Sequence, residues 1–491
     1  MHTASRRRAL LSPLLLLPLL TACAQDKGEL QHVPASALPE IAGGPTGART
    51  SGDSGAATSP IPDLSGSPRL ADLLRIALER SPVIQAAQAR ATAASESVAI
   101  EGWLPNPTVM IGWYETEVET RVGSQQWSVG IQQKIPFPTK LGTQTDIADS
   151  DAQRMRIVYE RMTRDVLVEV VRVAHEIAYI DEAMGITGEI GAVLARYTTV
   201  AAAGETSSLV SELFRADTQR AQLENDRVIL AELRFVEAQR MRSLLDLPTE
   251  TPIGTPITDT LPDVQSSVAE LLTIAEGHNQ ELREAGIALE TARLRASLAG
   301  QVHIPDMSVG VTKIGTSRLP SSLGADPSGN GDDPLILQFG LTLPIWVQKD
   351  AAVIRRSRSL ERAAALERLD AIQRTRDRVA RAWFQVGNAD RLHRLYAEVL
   401  VPRAAIAART AEDLLANGKG TLGGVLETIA VYHNFRLASA RARADHGRAI
   451  AQLERAIGQP FDALAATPTG AATPTDASAL PENETNTEEE R

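Results

Sequence analysis

The stretches LANGKGT (415–421) and AAAGETSS (201–208) determine the fold, because in each a glycine interrupts a long run of helix-compatible residues. The run over residues 144–203 contains no proline, and the run over residues 350–416 contains one, Pro402. About 60 residues at a rise of 1.5 Å give roughly 90 Å of helix, much longer than a compact domain needs. Each glycine is therefore predicted to form the turn between two long antiparallel helices, with a kink expected near Pro402.

The two hairpins belong to a longer internal repeat. The segment LLRIA (73–77) recurs as LLTIA (271–275), and three further landmarks recur in the same order with a growing offset. These landmarks are Pro105 and Pro305, Pro136 and Pro344, and Gly204 and Gly418. Duplication of one structural unit explains the pattern. We therefore predict a first repeat over residues 68–264 and a second over residues 265–458.

Each repeat is predicted to begin with one helix, over about residues 69–104 and 268–302, which ends at a proline. The residues that follow alternate between large apolar and small or polar side chains, which indicates strands with one apolar face. The predicted strands are 108–118, WSVGIQ (127–132), MSVGVT (307–312) and LQFGLTL (337–343). We expect the two strands of the first repeat to be joined by a loop over 119–125, and those of the second by a longer polar loop over 317–333.

Strands with an apolar face of about ten residues can cross an outer membrane, but a bilayer tolerates no unpaired strand edge, so only a closed barrel is stable there. Four strands cannot close a barrel. Two copies of the chain would give eight strands and a filled interior, whereas three copies would give twelve strands and a water-filled lumen. The alternative is a soluble four-stranded sheet in a periplasmic lipoprotein, which lacks a predicted second layer to cover the strands.

The duplicated order of helix, two strands, long helix, glycine turn and return helix resembles the TolC family of outer-membrane efflux factors over about residues 68–458. The motifs that carry the resemblance are LPNP (104–107), IPFP (135–138), LPIW (343–346) and the two glycine turns. The resemblance implies a mainly α fold with a trimeric twelve-stranded membrane β-barrel and a long periplasmic α-helical barrel. It also implies that the homotrimer contacts outer-membrane lipid and docks to a periplasmic adaptor and an inner-membrane pump of the resistance-nodulation-division (RND) type.

The function implied by the resemblance is a passive exit duct, through which small molecules or metal ions cross the outer membrane while the pump supplies the free energy. Two other functions remain open, namely the outer-membrane component of a type I protein-secretion system and a structural envelope lipoprotein. The wall of a wide, water-filled channel need not recognise its cargo, so the sequence does not identify the transported substrate.

The N-terminus carries the pattern of an export signal. Three arginines (6–8) precede a short apolar run (9–20) that is too brief and too interrupted by proline to span a bilayer as a mature helix. LTAC (20–23) resembles the lipobox of bacterial lipoproteins, which implies cleavage after residue 22 and a covalent lipid on Cys23. Ala24 then implies sorting to the outer membrane of a Gram-negative bacterium. The alternative is an ordinary cleavable signal with an incidental cysteine.

Two further segments lack periodic hydrophobicity. Residues 23–67 are rich in Gly, Pro, Ser and Ala and are predicted to form a linker between the lipid anchor and the fold. Residues 459–491 are predicted to form an acidic, disordered tail. Cys23 is the single cysteine of the chain, which excludes an intrachain disulfide.

Composition and motifs argue against several functional classes. The net charge of −11 disfavours a nucleic-acid partner, and the mature chain has no run of 18 apolar residues. No HExxH, GxSxG, CxxC or phosphate-loop pattern occurs, so we predict neither catalysis nor a cofactor. His303 and Met307 are four residues apart, but Pro305 lies between them, and we therefore predict no metal site.

An acidic constriction is expected near the second turn. Many TolC-family members carry acidic residues six and nine positions after the glycine of this turn, and here those positions are Gly424 and Glu427. The resemblance implies that Glu427 lines a periplasmic gate, with Glu412 and Asp413 as further contributors. A threefold axis would turn each of these residues into a ring of three negative charges. The alternative is that Glu427 is a solvated residue on an outward helix face.

The resemblance also implies that the two hairpin tips dock to the adaptor. The residues predicted to take part are Gly204, Glu205, Ser207, Gly418, Lys419 and Thr421. Ser207, Ser208 and Thr421 are also suited to cap the helices that follow the turns, and a capping role is compatible with docking.

Overall fold

A computed structural model describes residues 63–202, 207–258, 261–262, 264–319 and 328–461. The helices, in chain order, are α1 (Leu70–Arg80), α2 (Pro82–Glu101), α3 (Pro138–Ala202), α4 (Ser207–Leu245), α5 (Val268–His278), α6 (Gln280–Gly300), α7 (Val347–Arg394), α8 (Val401–Ala416) and α9 (Leu422–Ile457). The strands are β1 (Thr108–Thr120), β2 (Gly123–Ile135), β3 (Met307–Thr316) and β4 (Leu335–Leu341). The predicted signal peptide, most of the linker and nearly all of the acidic tail lie outside the described residues.

The two long helical runs are present. Helix α3 has 65 residues and begins six residues before the predicted start, so it is about 98 Å long. In the second repeat, α7 continues into a π-helical segment, Leu395–Leu400, and then into α8. Pro402 is the second residue of α8 and lacks an N–H group, so the regular hydrogen-bond ladder is interrupted at the point where a kink was expected.

The predicted single helix at the start of each repeat is wrong, because both are broken into two. In the first repeat the break is at Ser81, whose backbone (φ −55°, ψ 120°) is excluded from the helical region by the ring of Pro82. In the second it is at Asn279 (φ −65°, ψ 123°), where no proline is present. The side chain of Asn279 instead accepts a hydrogen bond from the N–H of Leu282 (3.1 Å) and donates one to the carbonyl of Ala456 (2.8 Å).

All four strands form one antiparallel sheet in the order β1-β2-β3-β4. The expected loop over 119–125 is wrong: β1 and β2 continue through it, and Thr120 pairs with Gly123, which leaves a two-residue turn. Of the longer polar loop expected over 317–333, the structure describes 317–319 and 328–333, between β3 and β4. The two repeats are joined by the pairing of β2 with β3, whereas β1 and β4 are the two edges of the sheet.

The register gives the sheet two different faces. Trp113 pairs with Trp127, Val109 with Ile131 and Ile131 with Val311, which places large apolar side chains on one face. Many of these side chains are well exposed, with Trp113 at 79% and Phe339 at 81%. The opposite face carries small and polar residues such as Ser128, Gly130, Gln132, Ser308, Gly310, Thr312, Gln338 and Gly340. We call these the apolar face and the polar face.

Three separate clusters of buried residues hold the helices together. One packs α1 against α3 and α4 around Leu73 and Met241, and a second packs α5 against α7 and α9 around Leu271 and Leu453. The third lies nearer the hairpin turns and joins α3, α4, α8 and α9 around Leu194. In the part of the chain that the structure describes, no helix combines the length and the apolar character that a membrane span would require.

Candidate functional site: hairpin turn, acidic residues and helix seam

The second hairpin turn closes through backbone hydrogen bonds. The N–H groups of Lys419 and Gly420 both donate to the carbonyl of Leu414, at 2.9 and 3.0 Å. Gly418 has a left-handed backbone (φ +67°), although nothing lies within 4 Å of the place where its Cβ would be. A side chain at this position would therefore be disfavoured by backbone strain rather than by lack of space. The predicted turn at Gly418 is confirmed.

Thr421 has the capping role considered for it. Its hydroxyl accepts a hydrogen bond from the N–H of Gly424 (3.2 Å), so it is the N-cap of α9. Gly204 and Glu205 of the first tip lie outside the described residues, and of Ser207 the structure describes only the backbone, as the first residue of α4. The docking role of these six residues stays a prediction.

The three predicted gate residues differ in their surroundings. Glu427 is exposed on α9 and, among the described residues, has no ion-pair partner; its neighbours Val425, Leu426 and Ile429 are buried. Asp413 is exposed at the end of α8. Glu412 is half-buried and accepts a hydrogen bond from the hydroxyl of Tyr197 on α3; burial and this carboxylate raise the pKa of Tyr197. Glu427 and Asp413 are thus accessible to solvent, whereas Glu412 links α8 to α3.

A row of ion pairs joins α3 of the first repeat to α9 of the second. Arginines of α9 contact acidic residues of α3 in two series, each with the seven-residue spacing of a coiled coil. The pairs are Arg436 with Glu189, Arg443 with Glu182, Arg441 and Arg448 with Glu176, and Arg455 with Asp165. We call this contact the α3–α9 seam. The seam was not predicted, although the seven-residue spacing of Arg441, Arg448 and Arg455 is visible in the sequence.

The helices of the seam approach closely at His175. A Cβ placed on Gly447 of α9 would lie 2.2 Å from Cε1 of the His175 ring, so glycine is required for this approach. Burial, together with the nearby Arg448, Arg443 and His446, lowers the pKa of His175 to about 4. The ring is therefore neutral at physiological pH and acts as a packing group.

His303 and Met307, the pair considered for a metal site, lie in different elements. His303 lies in a short turn after α6, with Nδ1 3.8 Å from a carboxylate oxygen of Asp350, while Met307 starts β3. Within the ranges that the structure describes, no three His, Cys, Asp or Glu side chains are placed to hold a metal ion.

Comparisons with known proteins agree with this architecture. Residues 271–459 match the family model described as outer membrane efflux protein. A search of curated proteins finds no match for the sequence. Among solved structures, the fold is similar to the open state of the MtrE outer membrane channel of Neisseria gonorrhoeae. The two chains are 18% identical, with a TM-score of 0.66 over 81% of this chain and 90% of that chain.

Two further structures show the same likeness. The outer membrane protein VceC of Vibrio cholerae has 16% identity and a TM-score of 0.65, over 80% of this chain and 96% of that chain. A membrane protein from Pseudomonas aeruginosa has 15% identity and a TM-score of 0.69, over 82% and 92%. The mostly helical fold with a four-stranded sheet is thus that of outer-membrane channels. The predicted resemblance to the TolC family is confirmed by these channel structures and by the match of residues 271–459 to the outer membrane efflux protein model.

Proposed function

We propose that the chain is the outer-membrane exit duct of a tripartite efflux system. Three copies form a passive channel that carries small molecules or metal ions from an inner-membrane pump and a periplasmic adaptor across the outer membrane. The channel binds no cofactor and catalyses no reaction, and the pump, of RND type, supplies the free energy.

The observation that carries the proposal is the sheet with two open edges. Strand β1 and strand β4 pair with β2 and β3, respectively, and each has its other side free within the described chain. An apolar face as exposed as this one is stable in lipid, but a bilayer requires every strand edge to be paired. Pairing β1 of one copy with β4 of the next satisfies this requirement, and three copies give twelve strands with the polar face inside.

The helices supply the periplasmic part of the proposed channel. Helix α3 alone extends about 98 Å, α4 and α9 pack along it, and α7 and α8 pack along α9. Their turns would meet the adaptor, at Gly204, Glu205, Ser207, Gly418, Lys419 and Thr421. Solvent-exposed Glu427 and Asp413 would contribute to the acidic gate near the tip. The lipid on Cys23 would anchor each copy in the inner leaflet of the outer membrane.

The test is assembly and conduction by the full-length protein. After detergent extraction, light scattering should give a protein mass of three chains, and the same sample should form discrete ion-conducting channels in planar bilayers. A monomer that forms no pores would contradict the proposal and favour a structural lipoprotein. Deletion of the gene followed by exposure to metals and drugs, and by assay of secreted proteins, separates an efflux channel from the outer-membrane component of a type I secretion system.

Docking through the second tip has its own test. Gly418→Leu places a bulky side chain at the turn and strains its backbone, which costs about 1 kcal/mol of local conformational free energy. The turn lies far from the sheet through which the copies would pair. We expect export to fail while the trimer remains intact. Full export by this variant would contradict docking at Gly418, and Gly277→Leu, at an open glycine in α5, is the control.

A further inference from the structure

The polar face of the sheet carries a single charged side chain in its regularly paired part. In the regularly paired rows, the residues that share this face with Ser128, Gln132 and Thr312 are neutral except Lys134. Beyond the irregularity in β1, Glu117 accepts hydrogen bonds from Ser124 and Gln126. Lys134 lies at the end of the sheet that is nearest the helices, where β2 precedes α3. The other lysine of the regular part, Lys313, lies in register with Val129 and Leu335 on the apolar face.

The neighbours of Lys134 leave its ammonium group accessible. In the register it pairs with Ser308, which pairs with Gly340, so the same row of the sheet holds two small residues. The side chain of Lys134 is 58% exposed. A long cationic side chain beside such small residues extends beyond the surface of the sheet.

One carboxylate is shared between two lysines at this end of the sheet. Asp306 lies 3.0 Å from Nζ of Lys140, which also donates to the carbonyl of Ile304 at 2.6 Å. Lys140 and Asp306 are both mostly buried and form the closer pair, whereas Nζ of Lys134 is 3.6 Å from the second oxygen of Asp306. Of these three groups, Lys134 is the most exposed, and Glu101 at the end of α2 lines the same cavity as all three.

We propose that Lys134 forms a ring of positive charge at the base of the barrel lumen and sets the ion preference of that part of the channel. The inference rests on the proposed function, because a lumen exists only if the sheets of several copies close with the polar face inside. Threefold symmetry makes Lys134 a ring of three positive charges at one level of a wall whose regularly paired rows are otherwise neutral. Such a ring attracts anions and repels cations, the opposite preference to that of the acidic gate residues at the other end of the helices.

The experiment is the reversal potential of single channels in planar bilayers under a KCl gradient, which reports selectivity independently of how often the channel opens. Lys134→Glu replaces three positive side chains with three negative ones in the trimer, and we expect the chloride-to-potassium permeability ratio to fall at least about twofold. Lys134→Gln should give an intermediate value. Both shifts should grow as salt is lowered, because the Debye length increases from about 10 Å at 0.1 M to about 30 Å at 0.01 M.

Lys313→Gln is the matched control, since it removes the same charge from the same sheet on the opposite face. Its permeability ratio should equal that of the wild type. Unchanged selectivity in Lys134→Glu, or an equal shift in Lys313→Gln, would overturn the assignment of Lys134 while leaving the channel itself established by its conductance. Absence of any wild-type conductance would instead overturn the proposed function, and this inference with it.

Discussion

The two repeats have the same architecture but interrupt it in different places and by different means. The first has a proline at the break between its two short helices and an unbroken long helix, α3. The second has Asn279 at the equivalent break, and its long helix contains a π-helical segment before Pro402. Equivalent geometry is therefore reached by covalent restriction in one repeat and by side-chain hydrogen bonds in the other. The two repeats therefore share the path of the chain but differ in the local chemistry that stabilises it.

The largest expected effect is on the free energy of unfolding, and it tests whether the equivalent buried clusters of the two repeats stabilise the protein equally. Leu73 and Leu271 occupy corresponding positions and are both fully buried. Leu73→Ala and Leu271→Ala should each lower the free energy of unfolding by about 2–5 kcal/mol, because each leaves a cavity in a helix cluster. Thermal unfolding of the purified protein in detergent measures this. Leu78→Ala on α1, where the side chain is 46% exposed, is the control. A much smaller loss of unfolding free energy in one of the two core variants would show that the repeats are not equivalent.

The second prediction concerns pH and the seam between the repeats. His175 has a pKa of about 4 in the folded protein and about 6.5 when unfolded, so between these values the unfolded state binds more protons. The contribution of neutral, buried His175 to the free energy of unfolding is fully present above about pH 6.5. It decreases as the pH falls toward 4, by up to about 3 kcal/mol. We expect the melting temperature of the wild type to fall more steeply with acidification than that of His175→Gln. Parallel curves would show that burial of His175 does not affect proton binding.

The third prediction compares the two helix breaks directly. Asn279→Ala removes the cap on α6 and leaves the carbonyl of Ala456 without its donor, so the expected loss is about 1–3 kcal/mol. Ser81→Ala removes a side chain that makes no capping bond, and because Pro82 enforces the break, the expected loss is below about 0.5 kcal/mol. Chemical denaturation of both variants checks the order. Equal losses would mean that Pro82 does not maintain the first break on its own.

The fourth prediction concerns the interruption in the second long helix. No residue of the π-helical segment Leu395–Leu400 is buried, whereas the corresponding part of α3 contains buried Ala183 and Ile186. Amide hydrogen exchange at 395–400 should therefore be about tenfold faster than at 181–186, a difference of about 1.4 kcal/mol in local opening. Mass spectrometry of peptides from the native protein measures both segments. Equal protection would mean that the π-helical segment is as stable as a regular helix.

The smallest expected effect on stability is at the predicted gate. Glu427 is exposed, so Glu427→Gln should leave the melting temperature unchanged while reducing cation selectivity and block by divalent ions in planar bilayers. Glu367→Gln, at an exposed position on α7 far from the turn, should change neither property. Wild-type selectivity in the Glu427 variant would remove this residue from the gate and leave it as a solvated side chain.

Much of the fold was readable because it depends on local patterns. The glycine of the second turn is required by its left-handed backbone, and alternation in segments such as WSVGIQ (127–132) gave the strands and their two faces. The turn at 121–122 was missed because polar residues such as Glu119 and Gln125 suggested a loop, although they are paired in the ladder. The break at Asn279 was missed because its cause is a hydrogen bond to Ala456, which is distant in sequence.

The candidate site was less predictable for the same reason. Glu412 was predicted from its place near the turn, but its contact with Tyr197 depends on how α8 packs on α3. The pairs of the α3–α9 seam join residues more than 240 positions apart, such as Arg436 and Glu189. The position of Lys134 on the polar face follows only from the register, in which it pairs with Ser308. These features depend on contacts between residues that are distant in the sequence, and patterns in a single sequence do not predict such contacts.

The pairing of β2 with β3 has a consequence for the timing of synthesis. Ile135 finds its partner Met307 only after about 170 more residues have been made, which takes roughly 10–30 s at the usual rate of translation. A hairpin of β1 and β2 formed during that interval would have an apolar surface and two open edges, and no later strand to join. The newly made chain must therefore be kept apart from its neighbours until its second half arrives.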